Sequence, residues 1–286
     1  GDLEPPFDSN VTINEQLEKA SKSKLDILFV TNHNTLDGFK QITEYKNNHE
    51  KFSNLKIYPA VEITTDKEAH VLVYGLHEEI KSNQSIDEII DAAKSQDAVT
   101  IAPHPFSLVD ALRDDSIKCD LFEVFNSSNV DIFSNKRAEI FAKENNLLTT
   151  VGSDSHIAST IGRCTNIIDA QNNLDDVLYA MKKGKISIEK TEYVTHSEVL
   201  EHIRYKIENS KKYIDQYVKE FYPKYSWLFN MMYKSYMLTK KSIIWDVTFK
   251  IALFGLRRIS YKINFEGYDP YAFRTRDIPT ITKMLF

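Results

Sequence analysis

The sequence has little cysteine and no long apolar run. Its 286 residues include two cysteines, Cys119 and Cys164, too few for a disulfide scaffold or a four-cysteine zinc site. No stretch approaches the roughly 18–20 consecutive apolar residues of a membrane-spanning helix, and no signal-like segment, low-complexity tract or internal repeat is visible. With 42% hydrophobic and 27% charged residues, the chain has the composition of a globular protein, which we expect to be cytoplasmic.

The small net charge of −5 conceals two unlike parts of the chain. Residues 1–195 contain 20 basic and 32 acidic side chains, whereas residues 196–286 contain 16 basic and 9 acidic side chains. Fourteen aromatic residues fall in the first part and 19 in the second. The sequence therefore predicts an acidic domain over residues 1–195 and a basic, aromatic-rich domain over residues 196–286.

Short apolar runs alternate with helical patterns in the acidic part. The runs are continuous rather than alternating with polar residues, as expected of strands that are buried on both faces. The predicted strands are 26–31, 55–63, 70–75, 98–102, 121–125 and 147–152, and the predicted helices include 14–23, 86–95 and 134–145. This alternation favours parallel βα units, and their number fits a small barrel better than an open sheet, although spacing alone leaves both open.

Side chains of the kind that bind metals stand at the ends of several predicted strands. Catalytic residues gather at the carboxyl ends of the strands in a parallel barrel. The residues in question are His33, Glu62, His70, His104, Asp154 and His156. Each one alone could be an ordinary hydrogen-bonding or capping group. Together, imidazole and carboxylate form the ligand set of zinc, manganese or iron, so the pattern predicts a metal site.

At these positions the sequence resembles the PHP (polymerase and histidinol phosphatase) family. That family has Thr-Asp-His-Asn-Thr where this chain has Thr31-Asn32-His33-Asn34-Thr35. It then has a glutamate and a histidine that match Glu62 and His70, His-Pro that matches His104-Pro105, and Gly-Ser-Asp-x-His that matches Gly152 to His156. The resemblance covers about residues 1–190. It implies an α/β fold, a distorted (β/α)7 barrel, here followed by a mostly α-helical C-terminal appendage.

The first motif departs from the family pattern. The family begins with Asp-Leu-His-x-His, whereas this chain has Glu4 at the first histidine position, lacks the second histidine, and offers Asp8 as the match to a later aspartate. Asn32 replaces the usual aspartate before His33. Either Glu4 or Asp2 supplies oxygen ligands, which would favour harder ions, or one metal position is lost.

By resemblance, the metal-binding set has eight members and holds one to three divalent ions, manganese, iron or zinc, with magnesium as a further option. Its members are Glu4, Asp8, His33, Glu62, His70, His104, Asp154 and His156. The implied reaction is phosphate-ester hydrolysis by metal-activated water. Glu62 would bridge the ions, and His70 or Asp154 would relay a proton.

The phosphate of the substrate would need a cation and hydrogen-bond donors. Arg163 is the first candidate for a bidentate grip on the phosphate, with Arg113 and Lys136 behind it, and Asn32 and Asn34 would contact the substrate. Because the barrel is acidic, a small phosphorylated substrate is favoured over a nucleic acid. Two other functions stay open: a degenerate barrel that binds metal or ligand without turnover, and a metal-dependent amidohydrolase, whose usual lysine bridge is not evident.

The basic part has aromatic residues at roughly helical spacing, interleaved with Lys211-Lys212, Lys240-Lys241 and Arg257-Arg258. We expect helical structure over residues 198–221 and two helices within residues 225–263. The aromatic stripe fits a helical region that packs on itself or on the barrel. It also fits a peripheral membrane contact, a nucleic-acid surface or a dimer interface, so partners and oligomeric state stay open.

Overall fold

The computed structural model describes residues 9–240, 242–273, 275 and 277–286. Within them the chain forms eight strands and ten α-helices, with a few short 3-10 turns. The strands are β1 (Ile27–His33), β2 (Lys56–Thr64), β3 (His70–Tyr74), β4 (Val99–Ala102), β5 (Leu121–Asn126), β6 (Thr149–Gly152), β7 (Thr165–Ile168) and β8 (Ile186–Lys190). The six strands predicted from the apolar runs are confirmed, and β7 and β8 are additional.

Strands β1 to β6 form one sheet in sequence order, and β7 pairs with β8 in a separate hairpin. The sheet is curled into a half-barrel, which confirms the α/β fold class. Strand pairs β1–β2, β4–β5 and β5–β6 are parallel, but β3 is antiparallel to both β2 and β4. The expectation of uniformly parallel strands was wrong here, because the five residues between β2 and β3 are too few for a crossover connection.

Five helices accompany the sheet: α1 (Ile13–Lys22), α2 (Asp37–Asn47), α3 (Ile86–Lys94), α4 (Phe133–Asn145) and α5 (Leu174–Lys182). Capping boxes start α1 at Thr12 and α3 at Ser85, where each hydroxyl accepts a hydrogen bond from the backbone of the third helical residue. Helices α1 and α2 bury their apolar faces in one core cluster, and α3 and α4 do so in a second.

Successive strand residues point to opposite faces of the curled sheet. On one face, Val71, Val73 and Phe122 pack in the core shared with α3 and α4. On the other face, Leu72 and Leu121 pack with side chains of α5 inside the curl. Burial on both faces explains why the strands read as continuous apolar runs.

The C-terminal region is helical, as expected. Its helices are α6 (His196–Asn209), α7 (Lys211–Phe221), α8 (Ser226–Leu238), α9 (Ile243–Glu266) and α10 (Ile278–Leu285). The C-terminal half of α9 packs against α4 and α10, and the Ser260 hydroxyl donates to Asp131 Oδ1 at 2.7 Å. Packing on the barrel is therefore confirmed for this half of α9, while the domain boundary at residue 195 stays a prediction. No helix in the described ranges is long and apolar enough to cross a membrane.

Candidate metal centre

Three of the expected ligands meet because of the strand register. His33, at the end of β1, lies opposite Glu62 of the parallel strand β2. Strand β3 runs back along β2, so its first residue, His70, lies opposite Thr64 and two positions from Glu62 in the ladder. His104 follows β4 and has a positive φ of 30°. Residues far apart in sequence are thereby brought to one end of the sheet.

The carboxylate of Glu62 lies at the centre of these imidazoles. Its Oε1 is 2.9 Å from Nδ1 of His70 and 3.3 Å from Nε2 of His104, and its Oε2 is 3.9 Å from Nε2 of His33. The ring centroids of His33 and His70 are 5.0 Å apart, and those of His70 and His104 are 5.5 Å apart. Glu62, His70 and His104 are buried.

The charges of the cluster are strongly coupled. Burial alone would raise the pKa of Glu62, but His70, His104 and His33 together hold that pKa well below its usual value. Burial would likewise lower the pKa of His104, yet the hydrogen bond to Glu62, with the charges of Glu62, Asp154 and Glu123, raises it to about 10. The cluster therefore keeps Glu62 as a carboxylate, the form that binds a cation.

The donor set fits a divalent metal ion. His33, Glu62 and His70 each offer a ligand atom, and these atoms lie within 4.8 Å of one another. Nδ1 of His70 is buried and lies 2.9 Å from Glu62, yet it makes no hydrogen bond within the described part of the chain. The carboxylate oxygen of Glu62 and Nδ1 of His70 thus lie close together without an aligned hydrogen bond. Ligand atoms of one shared metal ion have this arrangement.

Asp154 and His156 form a second group after β6. Asp154 has a positive φ of 46°, its Oδ2 accepts a hydrogen bond from Asn126 Nδ2 at 3.3 Å, and its backbone oxygen accepts one from Ser128 at 2.8 Å. Nδ1 of His156 is 3.5 Å from Asp154 Oδ1. The ring of His156 stacks on His202 of α6 with centroids 4.7 Å apart. No motif or spacing in the sequence singles out His202.

Glu123 is a buried carboxylate that sequence reasoning missed. It lies in β5, where its Oε2 accepts hydrogen bonds from the backbone N–H of His104 at 2.6 Å and from Asn126 Nδ2 at 2.9 Å. Burial raises its pKa to about 7, against the opposing influence of His104 and Asn126. The signal was present, because Glu123 is the one charged residue in the apolar run 121–125. It joins the His104 loop to the Asp154 group.

Asn32, in β1, and Asn34, directly after β1, have different surroundings. Asn34 has a positive φ of 55°, and its side chain both accepts from the Thr64 backbone at 2.9 Å and donates to the Thr64 hydroxyl at 3.1 Å. It therefore clamps the end of β1 to the end of β2. The side chain of Asn32 lies against Gly38 at the start of α2, where an added Cβ would come within 1.6 Å of its Oδ1. The substrate contacts expected of both residues stay predictions.

The candidate arginines are placed very differently. Nη2 of Arg163 donates to both carboxylate oxygens of Glu198 in α6, at 2.7 and 2.9 Å, and its Nη1 lies 3.5 Å from Glu192. Arg113 lines the cleft, where Nη2 donates to the Ser107 carbonyl at 3.0 Å and Nη1 to Asn264 Oδ1 at 3.3 Å. No carboxylate within the described residues forms an ion pair with Arg113, whose pKa burial lowers to about 10. Glu4, Asp8 and Asp2 lie outside the described residues.

A cleft of about 1840 Å³ connects these groups. It runs between β1 on one side and β6 and β7 on the other, and the C-terminal region contributes wall residues from α7 together with Pro270, Tyr271, Phe273 and Ile281. His33, Glu62, His70, His104, Glu123, Asp154 and His156 all line it. A curled βα sheet whose strand ends carry imidazoles and carboxylates around an open cleft defines the class: an α/β half-barrel protein with a candidate metal site.

Comparison with known proteins agrees with this class. A family model described as PHP-associated matches residues 133–186. Over 118 residues, 40% of this chain, the sequence is 32% identical to an uncharacterized protein from Methanocaldococcus jannaschii, of which the chain covers 66%. The matched family segment includes β6, Asp154 and His156.

Two solved structures are similar to this chain. PsfC from Pseudomonas syringae has a TM-score of 0.50 and 19% identity, with 68% of this chain and 88% of that chain covered. A two-domain Bacteroides vulgatus protein, described as containing a predicted PHP-like metal-dependent phosphoesterase, has a TM-score of 0.49 and 16% identity, with 72% and 67% covered. The PHP-associated match, which covers residues 133–186, agrees with the family resemblance of the strand-end motifs.

Proposed function

We propose that the protein is a metal-dependent phosphoesterase that hydrolyses a small phosphate ester in the cleft. The observation that carries the proposal is the Glu62 carboxylate, which is buried and ionised among His33, His70 and His104 where the cleft opens. A buried carboxylate needs compensating positive charge, and a divalent cation held between Glu62 and the imidazoles would supply it. The resemblance of the strand-end motifs to the PHP family, with the PHP-associated match over residues 133–186, supports the same reaction class.

His33, Glu62 and His70 would hold the first divalent ion, and His104 and Asp154 are the candidates for holding a second. Such an ion lowers the pKa of bound water and polarises a phosphoryl oxygen. Glu62 keeps the negative charge that offsets the cation, and Glu123 fixes the backbone of His104 through its 2.6 Å hydrogen bond. Asp154, held by Asn126, is placed to accept or return a proton at its carboxylate.

Arg113 is the better candidate to bind the phosphate group. It lines the cleft, is half-buried and faces carbonyl and amide oxygens rather than a carboxylate. Arg163, the first choice from sequence, already donates from Nη2 to both carboxylate oxygens of Glu198. A guanidinium with uncommitted donors can take two phosphate oxygens at once.

The proposed substrate is a small phosphorylated molecule. The acidic residues of the barrel part disfavour a long polyanion along the rim, and a nucleic acid is therefore the less favoured partner. Both cysteines are free, and burial raises the pKa of each thiol to about 12, so neither is a reactive thiolate. Free, unreactive thiols are consistent with the cytoplasmic location that we propose.

One observation favours a second function, a barrel that binds metal or ligand without turnover. Asn32 stands where the family has an aspartate, and its side chain lies against Gly38 of α2. One acidic ligand of the family is thereby lost. In this alternative the protein binds metal as proposed but does not accelerate ester hydrolysis.

The deciding experiment combines metal analysis with a phosphatase assay. The purified chain, reconstituted with manganese, iron or zinc, should contain one to three equivalents of metal and should hydrolyse p-nitrophenyl phosphate. His104→Ala and Asp154→Ala should abolish turnover, whereas His77→Ala, an exposed histidine on the loop after β3, should not. Metal binding without hydrolysis of any ester in a substrate panel would favour the second function, and a chain that never takes up metal would refute both.

A further inference from the structure

Large apolar side chains are exposed where α8 and α9 meet. Leu238, the last residue of α8, is 85% exposed, and Ile243 and Ile244 at the start of α9 are 76% and 67% exposed. Further along α9, Val247 is 48% exposed. Ile251 and Phe254, one and two turns beyond it, are 66% and 70% exposed. Isolated apolar residues on a surface are ordinary, but a contiguous group of this kind marks a binding surface.

The exposed residues of α9 share one face of the helix. Positions 243, 244, 247, 251 and 254 recur at the spacing of a single helical stripe. The opposite face is occupied, because Trp245 and Phe249 pack on the buried ring of Tyr236 in α8. The Trp245 indole also donates to the Thr239 hydroxyl at 2.9 Å. The two helices thus form a hairpin that closes on itself and presents a defined outer face.

We call this outer face the apolar stripe, and it comprises Leu238, Ile243, Ile244, Val247, Ile251 and Phe254. The segment that carries the stripe is cationic overall, although Lys240 pairs with Glu208 of α6 and Lys262 with Glu266. Residues 222–265 contain eight lysines and arginines and a single acidic residue, Asp246. Asp246 is already paired with Arg204 of α6. An apolar stripe set in a cationic surround is the pattern of a helix that lies in the interface of a membrane.

We propose that the α8–α9 hairpin docks on an anionic lipid surface, with the apolar stripe in the headgroup region and the surrounding lysines and arginines against acidic headgroups. Charge complementarity selects this partner. If two copies bound symmetrically through this surface, the eight cations of residues 222–265 in one copy would face the same eight in the other. Each copy has a single acidic residue in this segment to offset them. A nucleic acid would match the charge, but within the stripe a base could stack on the ring of Phe254 alone, because its other five members are aliphatic.

The same helix connects this surface to the candidate metal centre. Asn264, in the C-terminal half of α9, accepts from Arg113 and donates to the backbone oxygen of Phe106 at 3.3 Å, both on the loop that follows His104. Ile244 and Asn264 are about 30 Å apart along the helix axis at 1.5 Å per residue. Docking through the stripe would therefore fix the distance of the cleft from the lipid surface, whatever the cleft hydrolyses.

Vesicle binding tests the proposal directly. The full chain is mixed with vesicles of phosphatidylcholine alone, and with vesicles of about one part phosphatidylserine to three parts phosphatidylcholine, and the bound fraction is measured by flotation. We expect binding to the anionic vesicles only, weakened by salt because the headgroup attraction is screened. The double variant Ile243→Ser, Ile244→Ser should lose more than about tenfold in affinity, since two large apolar side chains no longer enter the interface.

A matched control is available on the barrel. Ile167 and Ile188, on β7 and β8, are exposed by 54% and 43%, and replacing both with serine should leave vesicle binding unchanged. The proposal is overturned if the wild type ignores anionic vesicles, binds neutral vesicles equally well, or binds as well after the hairpin substitutions as before. It is also overturned if those substitutions convert a dimer into a monomer in sedimentation velocity, or abolish binding to a short DNA duplex while vesicles stay unbound.

Discussion

The barrel and the C-terminal hairpin differ in which side chains they bury: the barrel buries charged groups, and the hairpin exposes large apolar ones. In the barrel, Phe122 is 1% exposed, and the charged groups Glu62 and Glu123 are themselves buried at the strand ends. In the hairpin, Phe254 and the isoleucines at the start of α9 face outward. A buried carboxylate and a solvent-exposed isoleucine both raise the free energy of the folded state. Because folding alone favours neither, these residues point to function in each region.

The contrast also separates chemistry from placement. Buried charge at the strand ends can act on a bound substrate, because its interactions are strong in a site that excludes water. Exposed apolar surface can only gain free energy by meeting another apolar phase. Substitutions in the barrel should therefore change stability, metal content or turnover, whereas substitutions in the hairpin should change only where the protein binds.

The largest expected effect compares two phenylalanines. Phe122→Ala should lower the free energy of unfolding by about 3–5 kcal/mol, because it leaves a cavity between Phe106 and Phe141. Phe254→Ala should change it by less than about 0.5 kcal/mol. Urea denaturation of both variants gives the comparison. A destabilisation of Phe254→Ala similar to that of Phe122→Ala would mean that the stripe is buried in solution, and the contrast would fail.

The next effect concerns the carboxylate at the centre of the metal cluster. Glu62→Gln keeps the size of the side chain but removes the charge that offsets a cation, so metal content and hydrolysis should each fall by at least about a hundredfold. Metal analysis and p-nitrophenyl phosphate turnover measure the two. Glu139→Gln is the control, since Glu139 is paired only with its helical neighbour Lys143 in α4. Retention of metal by Glu62→Gln would remove Glu62 from the ligand set.

A smaller effect distinguishes the two arginines. Arg113→Lys should raise KM about tenfold with metal content unchanged, because an ammonium cannot hold two phosphate oxygens in a planar fork. Arg163→Lys should leave KM unchanged, because Arg163 is committed to Glu198. Steady-state kinetics with a small phosphate ester decide between them. The reverse result would restore the assignment made from sequence.

Much of the barrel was predictable from local sequence, because its strands are apolar on both faces and its ligands stand at strand ends. The positions of His33, Glu62 and His70 followed from those signals, and the register of β1 to β3 brings them together. The reversal of β3 was not predicted, although the short connection after β2 could have indicated it. Strands β7 and β8 were missed because every residue in them is at least partly exposed, so neither forms a continuous buried apolar run.

The missed site residues depend on tertiary contacts. Glu123 could have been found as a charge within an apolar run, but its hydrogen bond to the His104 backbone could not. His202 reaches His156 only because α6 packs beside the rim, and the engagement of Arg163 depends on the same helix. Sequence spacing carries no information on which helix will cover a rim, so residues contributed from outside the barrel pattern are the last to be found.

The smallest effect concerns the junction between the two regions. Burial disfavours the charged form of Glu198, but hydrogen bonds from Thr195, Ser159 and Arg163 outweigh it and lower the pKa of Glu198 to about 2, from an ordinary value of 4.5. A carboxyl group whose pKa is lower in the folded state stabilises the fold fully above its unfolded pKa. That stabilisation is lost as the pH falls from about 4.5 toward 2.

Glu198→Gln should therefore make the urea midpoint less dependent on pH between about 4.5 and 2 than in the wild type. Glu201→Gln, on the same helix but outside this network, should keep the pH dependence of the wild type. The result bears on the contrast between the regions, because Arg163 belongs to the barrel and Glu198 to α6. An unchanged pH dependence in Glu198→Gln would mean that the barrel and the helical region are not coupled through this ion pair, and that the hairpin is attached to the barrel mainly through the packing of α9 on α4.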